Sequence, residues 1–216
     1  MAMTPISALQ GDALMQTVAA ALLAMSVASW FVIFWKSSLL WRSARSVPRA
    51  IAAFWAAPSP AAAAAAAQAA DPEGPAAALA ARCQQLERPA RHAWQAHADR
   101  VRRELREALD AGSRRLHAGH VLLASVGSTA PFVGLFGTVW GIYHALGALS
   151  ALQQAGVDKI AGPVGDTLVM TAAGLAVAIP AVLAYNALGK RARALDAQLE
   201  GFALDLQHLL SAEPTD

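Results

Sequence analysis

The sequence predicts an all-α membrane protein: three transmembrane helices with long helical extensions on the cytoplasmic side. Three observations lead there. First, the 216-residue chain is 56% hydrophobic and only 15% charged, whereas a soluble domain carries about 25% charge. Second, the apolar residues are bunched into three segments, 13–35, 121–149 and 160–188. A span needs roughly 20 apolar residues at about 1.5 Å each. The first segment has that length. The other two are longer and should tilt or protrude into water at one end.

Third, the basic residues are distributed unevenly. Residues 1–12 contain no Lys or Arg, and 36–120 contain Lys36 and twelve arginines. The turn 150–159 holds only Lys159, and the tail 189–216 holds Lys190, Arg191 and Arg193. Basic flanks stay in the cytoplasm. That puts 1–12 outside, 36–120 inside, 150–159 outside and 189–216 inside, with no conflict among three spans. Trp30, Trp35 and Trp41 fall at the inner end of the first span, where an aromatic belt is expected. The first apolar run follows no Lys or Arg and is longer than a signal-peptide core, so it reads as a retained helix. The net charge of +2 reflects topology. No basic, aromatic-interleaved face argues for nucleic acid.

The elements follow in order. Arg42, Arg45 and Arg49 trail the first span and suit anionic lipid head groups. Residues 56–81, "AAPSPAAAAAAAQAADPEGPAAALAA", are rich in Ala and Pro. Their prolines prevent one continuous helix, and alanine offers no large side chain for a core. A linker with a short helix inside is expected. The single cysteine, Cys83, cannot form an internal disulfide and reads as a small, inert side chain. An amphipathic helix is expected over 91–118, with Trp94, Val101, Leu105, Ala108, Leu109 and Leu116 as its seam. The tail carries a second seam, Leu188, Leu195, Leu199, Phe202, Leu206 and Leu209. The seams could pack on each other or on a neighbouring subunit; the pattern alone separates neither.

In the second span, Gly127, Pro131, Gly134, Gly141 and Ala145 fall within about 60° of Thr138 on a helical projection. Gly137 and Gly141 add a GxxxG pair. Small residues let helix backbones approach in lipid. The Thr138 hydroxyl can bond back to its own helix or line a polar path. Pro131 here and Pro180 in the third span each remove a backbone hydrogen bond and favour a kink. His117 and His120 are three apart near the inner interface, and His144 lies toward the outer end. The spacing of His117 and His120 is one a metal could use, but with no acid on their face none is expected, nor another cofactor; His144 reads as an interfacial polar residue.

The third span contains one acid, Asp166. On a projection it shares an arc of about 140° with Pro163, Thr167, Met170, Thr171, Gly174 and Val177. The other side holds Leu168, Val169, Ala172 and Leu175, suited to lipid or to apolar packing. An ionised Asp at mid-membrane costs about 3 kcal/mol on insertion scales, so this carboxyl is a group that can exchange a proton. It also lies close enough to the outer end to cap a helix or snorkel outward.

"APFVGLFGTVWGIYHAL" (130–146) and "AGPVGDTLVMTAAGLAVAIPAVLAYN" (161–186) closely resemble the two signature spans of the ExbB/TolQ/MotA family, on its ExbB/TolQ side. "LLAMSVASW" (22–30) resembles the first span of that branch. The resemblance implies a proton-driven energiser of the bacterial inner membrane, N-terminus periplasmic and C-terminus cytoplasmic, rather than an enzyme. It implies a homo-oligomeric ring, a pentamer, around copies of a single-span ExbD-like partner. Through it the ring powers a TonB-like protein that opens outer-membrane transporters for iron chelates and vitamin B12. A TolQ-like role in the Tol-Pal system, or a passive scaffold with a structural Asp166, are the alternatives. Thr138 and Thr171 match the family's two span threonines. Together with Thr167 and Asp166 they are the expected pore-lining set. Gly134, Gly137, Gly141, Pro131, Gly174 and Pro180 are the expected helix-packing set. Asp166 stands where the family normally has glutamate: the acid is kept, one methylene shorter.

Overall fold

The structure, a computed structural model, describes residues 5–86, 94–150 and 158–211. Every element among them is helical: α1 Pro5–Ala56, α2 Pro60–Ala70, α3 Pro75–Gln85, α4 Trp94–His117, α5 His120–Ser150 and α6 Asp158–Ser211. Most of the outer turn expected at 150–159 lies outside the described residues, as do 1–4 and 212–216. Among the described residues three stretches are long and apolar enough to cross a membrane, within Ala13–Ala56, Gln95–Gly147 and Thr167–Ser211.

The chain divides into two compact units. The first comprises the chain up to Trp35 together with Gly119–Ala187. The second comprises Lys36–Ala118 and the chain from Leu188 onward.

In the first unit each helix buries one stripe. Val18, Leu22, Ser29 and Val32 of α1 point inward, as do Leu123, Val126, Ala130 and Thr138 of α5 and Thr167, Ala178 and Ala181 of α6. The spacings of three and four are those of a single helix face. Outside lie Leu23, Val27, Phe31 and Phe34 of α1, Phe132, Phe136 and Val139 of α5, and Leu168, Val169, Ile179 and Leu183 of α6. So extensive an apolar exterior would aggregate in water and is the natural surface of a protein bathed in lipid. Chain entry to α5 is through Gly119, whose φ of +82° is the left-handed region that glycine alone occupies without strain. A methyl group there would also lie 2.7 Å from Val32 Cγ1. Gly119→Ala should therefore cost about 1–2 kcal/mol from the backbone alone, read as a lowered denaturation midpoint of the purified protein.

In the second unit the Ala- and Pro-rich stretch differs from the expectation at 56–81. It is not a linker over its length but two packed helices. Pro60 and Pro75 each occupy the first turn of a helix, where a missing N–H costs nothing. Ser59 caps α2 by accepting from Ala62 N–H at 3.3 Å, and Gly74 stands at the N-cap of α3. Asp71-Pro72-Glu73-Gly74 turns the chain between them, with Gly74 N–H donating to the Asp71 carbonyl at 3.0 Å. Aspartate first, proline second and glycine last is the composition of a type I turn. Ala63, Ala64 and Ala67 of α2 and Ala76, Ala77, Leu79 and Ala80 of α3 are buried. Small side chains let the two axes come close, so alanine serves as a core residue here. Gly112 of α4 does the same for Pro75, whose Cβ would be 2.8 Å from an added methyl.

Both amphipathic seams are buried within this unit of a single chain. Val101, Leu105, Ala108 and Leu116 of α4 are closed off, as are Leu188, Leu195, Leu199, Phe202 and Leu206 of α6. Leu209 is exposed, and the Trp94 side chain lies outside the described residues. Phe202 meets Phe54 of α1 edge-on at 5.2 Å. Cys83 is buried in α3, and burial pushes its thiol pKa up, which keeps it unreactive. Arg45 lies over the Trp41 ring at 3.6 Å. The Arg82–Glu104 pair at 2.9 Å is half-exposed and contributes little.

Candidate functional site

The site lies where α5 and α6 run antiparallel in the first unit. Going along α5, Gly127 faces Val182, Gly134 faces Gly174, and Gly141 faces Thr167. At Gly134 a methyl group would lie 2.5 Å from the Met170 carbonyl oxygen and 3.1 Å from Gly174 Cα. At Gly174 it would lie 2.6 Å from the Ala130 carbonyl oxygen and 3.1 Å from Gly134 Cα. Backbone touches backbone, the contact that small residues make possible in lipid. Gly137 turns toward α1 as well, with Val18 Cγ1 3.1 Å and Met170 Cβ 3.2 Å from an added methyl. Helices α5 and α6 continue through Pro131 and Pro180, both half-buried.

Next to this glycine contact sit the hydroxyls. Thr138 is buried, and its Oγ1 lies 3.3 Å from Thr171 Oγ1. Thr138 donates to the Leu135 carbonyl at 2.7 Å, so its proton is committed and the Thr171 hydroxyl is the one free to donate across. One turn further along, buried Thr167 donates to the Val164 carbonyl at 2.8 Å, and its methyl fills the space over Gly141. The structure thus joins Thr138 and Thr171 directly and places Thr167 on the same seam. Asp166 is carried by α6 immediately before Thr167; its side chain lies outside the described residues.

Among the described residues no three His, Cys, Asp or Glu side chains gather as a metal would need. His117 is 2.6 Å from Asp196, 79 residues away. His144 lies beside Trp140, with ring centroids 4.8 Å apart and the planes tilted by 53°. Lys36, one of the positive charges that flank the first span, is fully buried. Its setting directly after an unbroken apolar run was the signal available.

Three apolar helices, a glycine contact and a buried hydroxyl pair define a membrane-embedded helical protein with a polar seam inside. The chain belongs to the MotA/TolQ/ExbB proton channel family, whose model matches residues 73–201. A biopolymer transport protein ExbB of Xanthomonas campestris pv. campestris is 40% identical over 219 aligned positions, covering 94% of this chain and 84% of the relative. An ExbB of Neisseria gonorrhoeae is 52% identical over 103 residues, 48% of this chain and 47% of its own. The Tol-Pal system protein TolQ of Pseudomonas aeruginosa is 43% identical over 110 residues, 51% of this chain and 48% of its own. The protein is an ExbB/TolQ-type proton-channel subunit, a membrane protein of transport and not an enzyme.

Proposed function

We propose that the protein is the ExbB-like subunit of an inner-membrane motor that uses the proton gradient to energise TonB-dependent transport across the outer membrane. In this reading several copies form a ring, as a pentamer, around a single-span ExbD-like partner. Asp166, Thr167, Thr171 and Thr138 line the lumen, and Gly134, Gly137, Gly141, Pro131, Gly174 and Pro180 pack the helices. In this reading the N-terminus is periplasmic and the C-terminus cytoplasmic, an orientation that the basic residues of 36–120 and 189–216 favour.

The observation that carries the reading is the Thr138–Thr171 contact, 3.3 Å between hydroxyls inside an apolar seam. A hydroxyl can accept and donate at once, so adjacent hydroxyls can pass hydrogen bonds along a file that includes water. Asp166 precedes Thr171 by five residues on the same helix and supplies the group that can hold a proton. The 40% identity to an ExbB over 94% of this chain favours the TonB system. The TolQ relatives keep the Tol-Pal role as second reading.

Asp166→Asn keeps the size of the side chain and removes its titration. In cells lacking their own copy, this variant should reduce iron-chelate uptake to background, while Asp166→Glu, which lengthens the acid by one methylene, restores it. Wild-type complementation of detergent sensitivity without uptake would reassign the protein to the Tol-Pal system. Unchanged uptake by Asp166→Asn would make the acid structural and the protein a scaffold.

A further inference from the structure

In the second unit, three ionisable side chains from three helices meet at the C-terminal end of α4. Lys36 of α1 is fully buried and donates through Nζ to the Arg115 carbonyl at 2.9 Å. That carbonyl belongs to the last turn of α4, where four carbonyls lack an intrahelical partner and the helix dipole is negative. His117, the last residue of α4, is 2.6 Å from Asp196 Oδ2 of α6. The other oxygen of Asp196, Oδ1, is buried with no hydrogen-bond partner among the described residues. Asp196 also acts electrostatically on Lys36. One carboxylate therefore serves two basic groups at one helix end.

We propose that Lys36, Asp196 and His117 form a proton-responsive latch that sets how tightly the end of α4 is held against α1 and α6.

The sign follows from burial. An ordinary lysine titrates at 10.5; burial lowers Lys36 to about 8, with Asp196 pulling the other way. A basic group lowered in the folded state weakens the fold wherever it stays charged. Here that cost is full below about pH 8 and shrinks as pH rises toward 10.5, where the unfolded chain would lose the proton as well. Packing around α4 therefore tightens on alkalinisation through pH 8 and loosens on acidification. His117, 2.6 Å from Asp196, shares with Lys36 the carboxylate that opposes this lowering. Arg115 gives its guanidinium to the Glu73 carbonyl, and Arg42, Arg114, Lys190 and Arg193 are exposed.

The test is hydrogen–deuterium exchange of the full chain in lipid nanodiscs between pH 6.5 and 9.5, corrected for intrinsic rates and read on peptides covering the end of α4. Wild type should gain protection from about pH 8 upward and still be rising at pH 9.5. Asp196→Asn removes the upward pull, so the onset should move to lower pH. Lys36→Met should abolish the transition and hold the α4 end protected throughout. Should Lys36→Met fail to fold, Asp196→Asn and His117→Gln still decide. A wild-type profile without a rise above about pH 8, or an onset that neither variant moves, overturns the latch.

Discussion

Gly174→Leu should separate α5 from α6. Its side chain would begin 2.6 Å from the Ala130 carbonyl oxygen and 3.1 Å from Gly134 Cα. Neither obstacle is the flexible tip of a side chain, so the backbones themselves must move. Overpacking costs typically 1–3 kcal/mol where side chains can yield, and here about 3 kcal/mol or more is expected. In lipid there is no hydrophobic force to hold parted helices together. The parting also pulls Thr171 from Thr138, because both pairs lie on one seam. Gly174→Leu should lower the denaturation midpoint of the protein in detergent and abolish proton-dependent transport. Leu175→Ala, one residue on and facing outward, should leave both nearly unchanged. Equal effects from the two would mean that the α5–α6 contact is not close.

Phe202→Ala should be the most damaging single truncation in the second unit. Phe202 is buried to 2% exposure and packs edge-on against Phe54 at 5.2 Å and Trp55 at 6.3 Å. Removing a buried Phe costs about 3–5 kcal/mol, the lost burial plus the cavity left behind. Aromatic contacts add about 0.5–1.5 kcal/mol beyond area. Phe54 and Trp55 are supplied by α1, so the cavity would loosen α1 from α6. Denaturation followed by tryptophan fluorescence is a direct measure, since Trp55 reports on this contact. Leu204→Ala, at an exposed neighbouring position, should change stability by about 0.5 kcal/mol or less.

Periodicity made the spanning helices legible. Gly134, Gly141 and Thr138 share a calculated face, and that face lies against α6, because a helix has one geometry and lipid demands the same pattern of every span. Leu168, Val169, Ala172 and Leu175, the apolar side of the third span, suited to lipid or to apolar packing, are all exposed. Residues 56–81 were not legible in the same way. Alanine carries little directional information, and whether it is linker or core depends on what comes to meet it. The prolines divide the stretch as expected, but two of them open helices. The position of Lys36 after an apolar run hinted at its burial, but its partners could not be read, since they are joined across 79 residues and nothing local links them. The two seams left a choice between self-packing and packing on a neighbour; the side chains of α1 and α3 that fill the space beside them made the difference.

The alanine tract of α2 has one more consequence. Residues 61–67 are seven identical side chains, so substituting one small residue for another scarcely changes the surface α2 offers to α3. Length is another matter. Each residue added to or lost from a helix rotates everything beyond it by about 100° and shifts it by about 1.5 Å. One alanine more or fewer would swing Asp71, buried at the far end, away from the turn it closes, with Ser59 holding the near end in place. The tract is tolerant in composition and intolerant in count: its seven alanines act as a ruler, and the information they carry is their number.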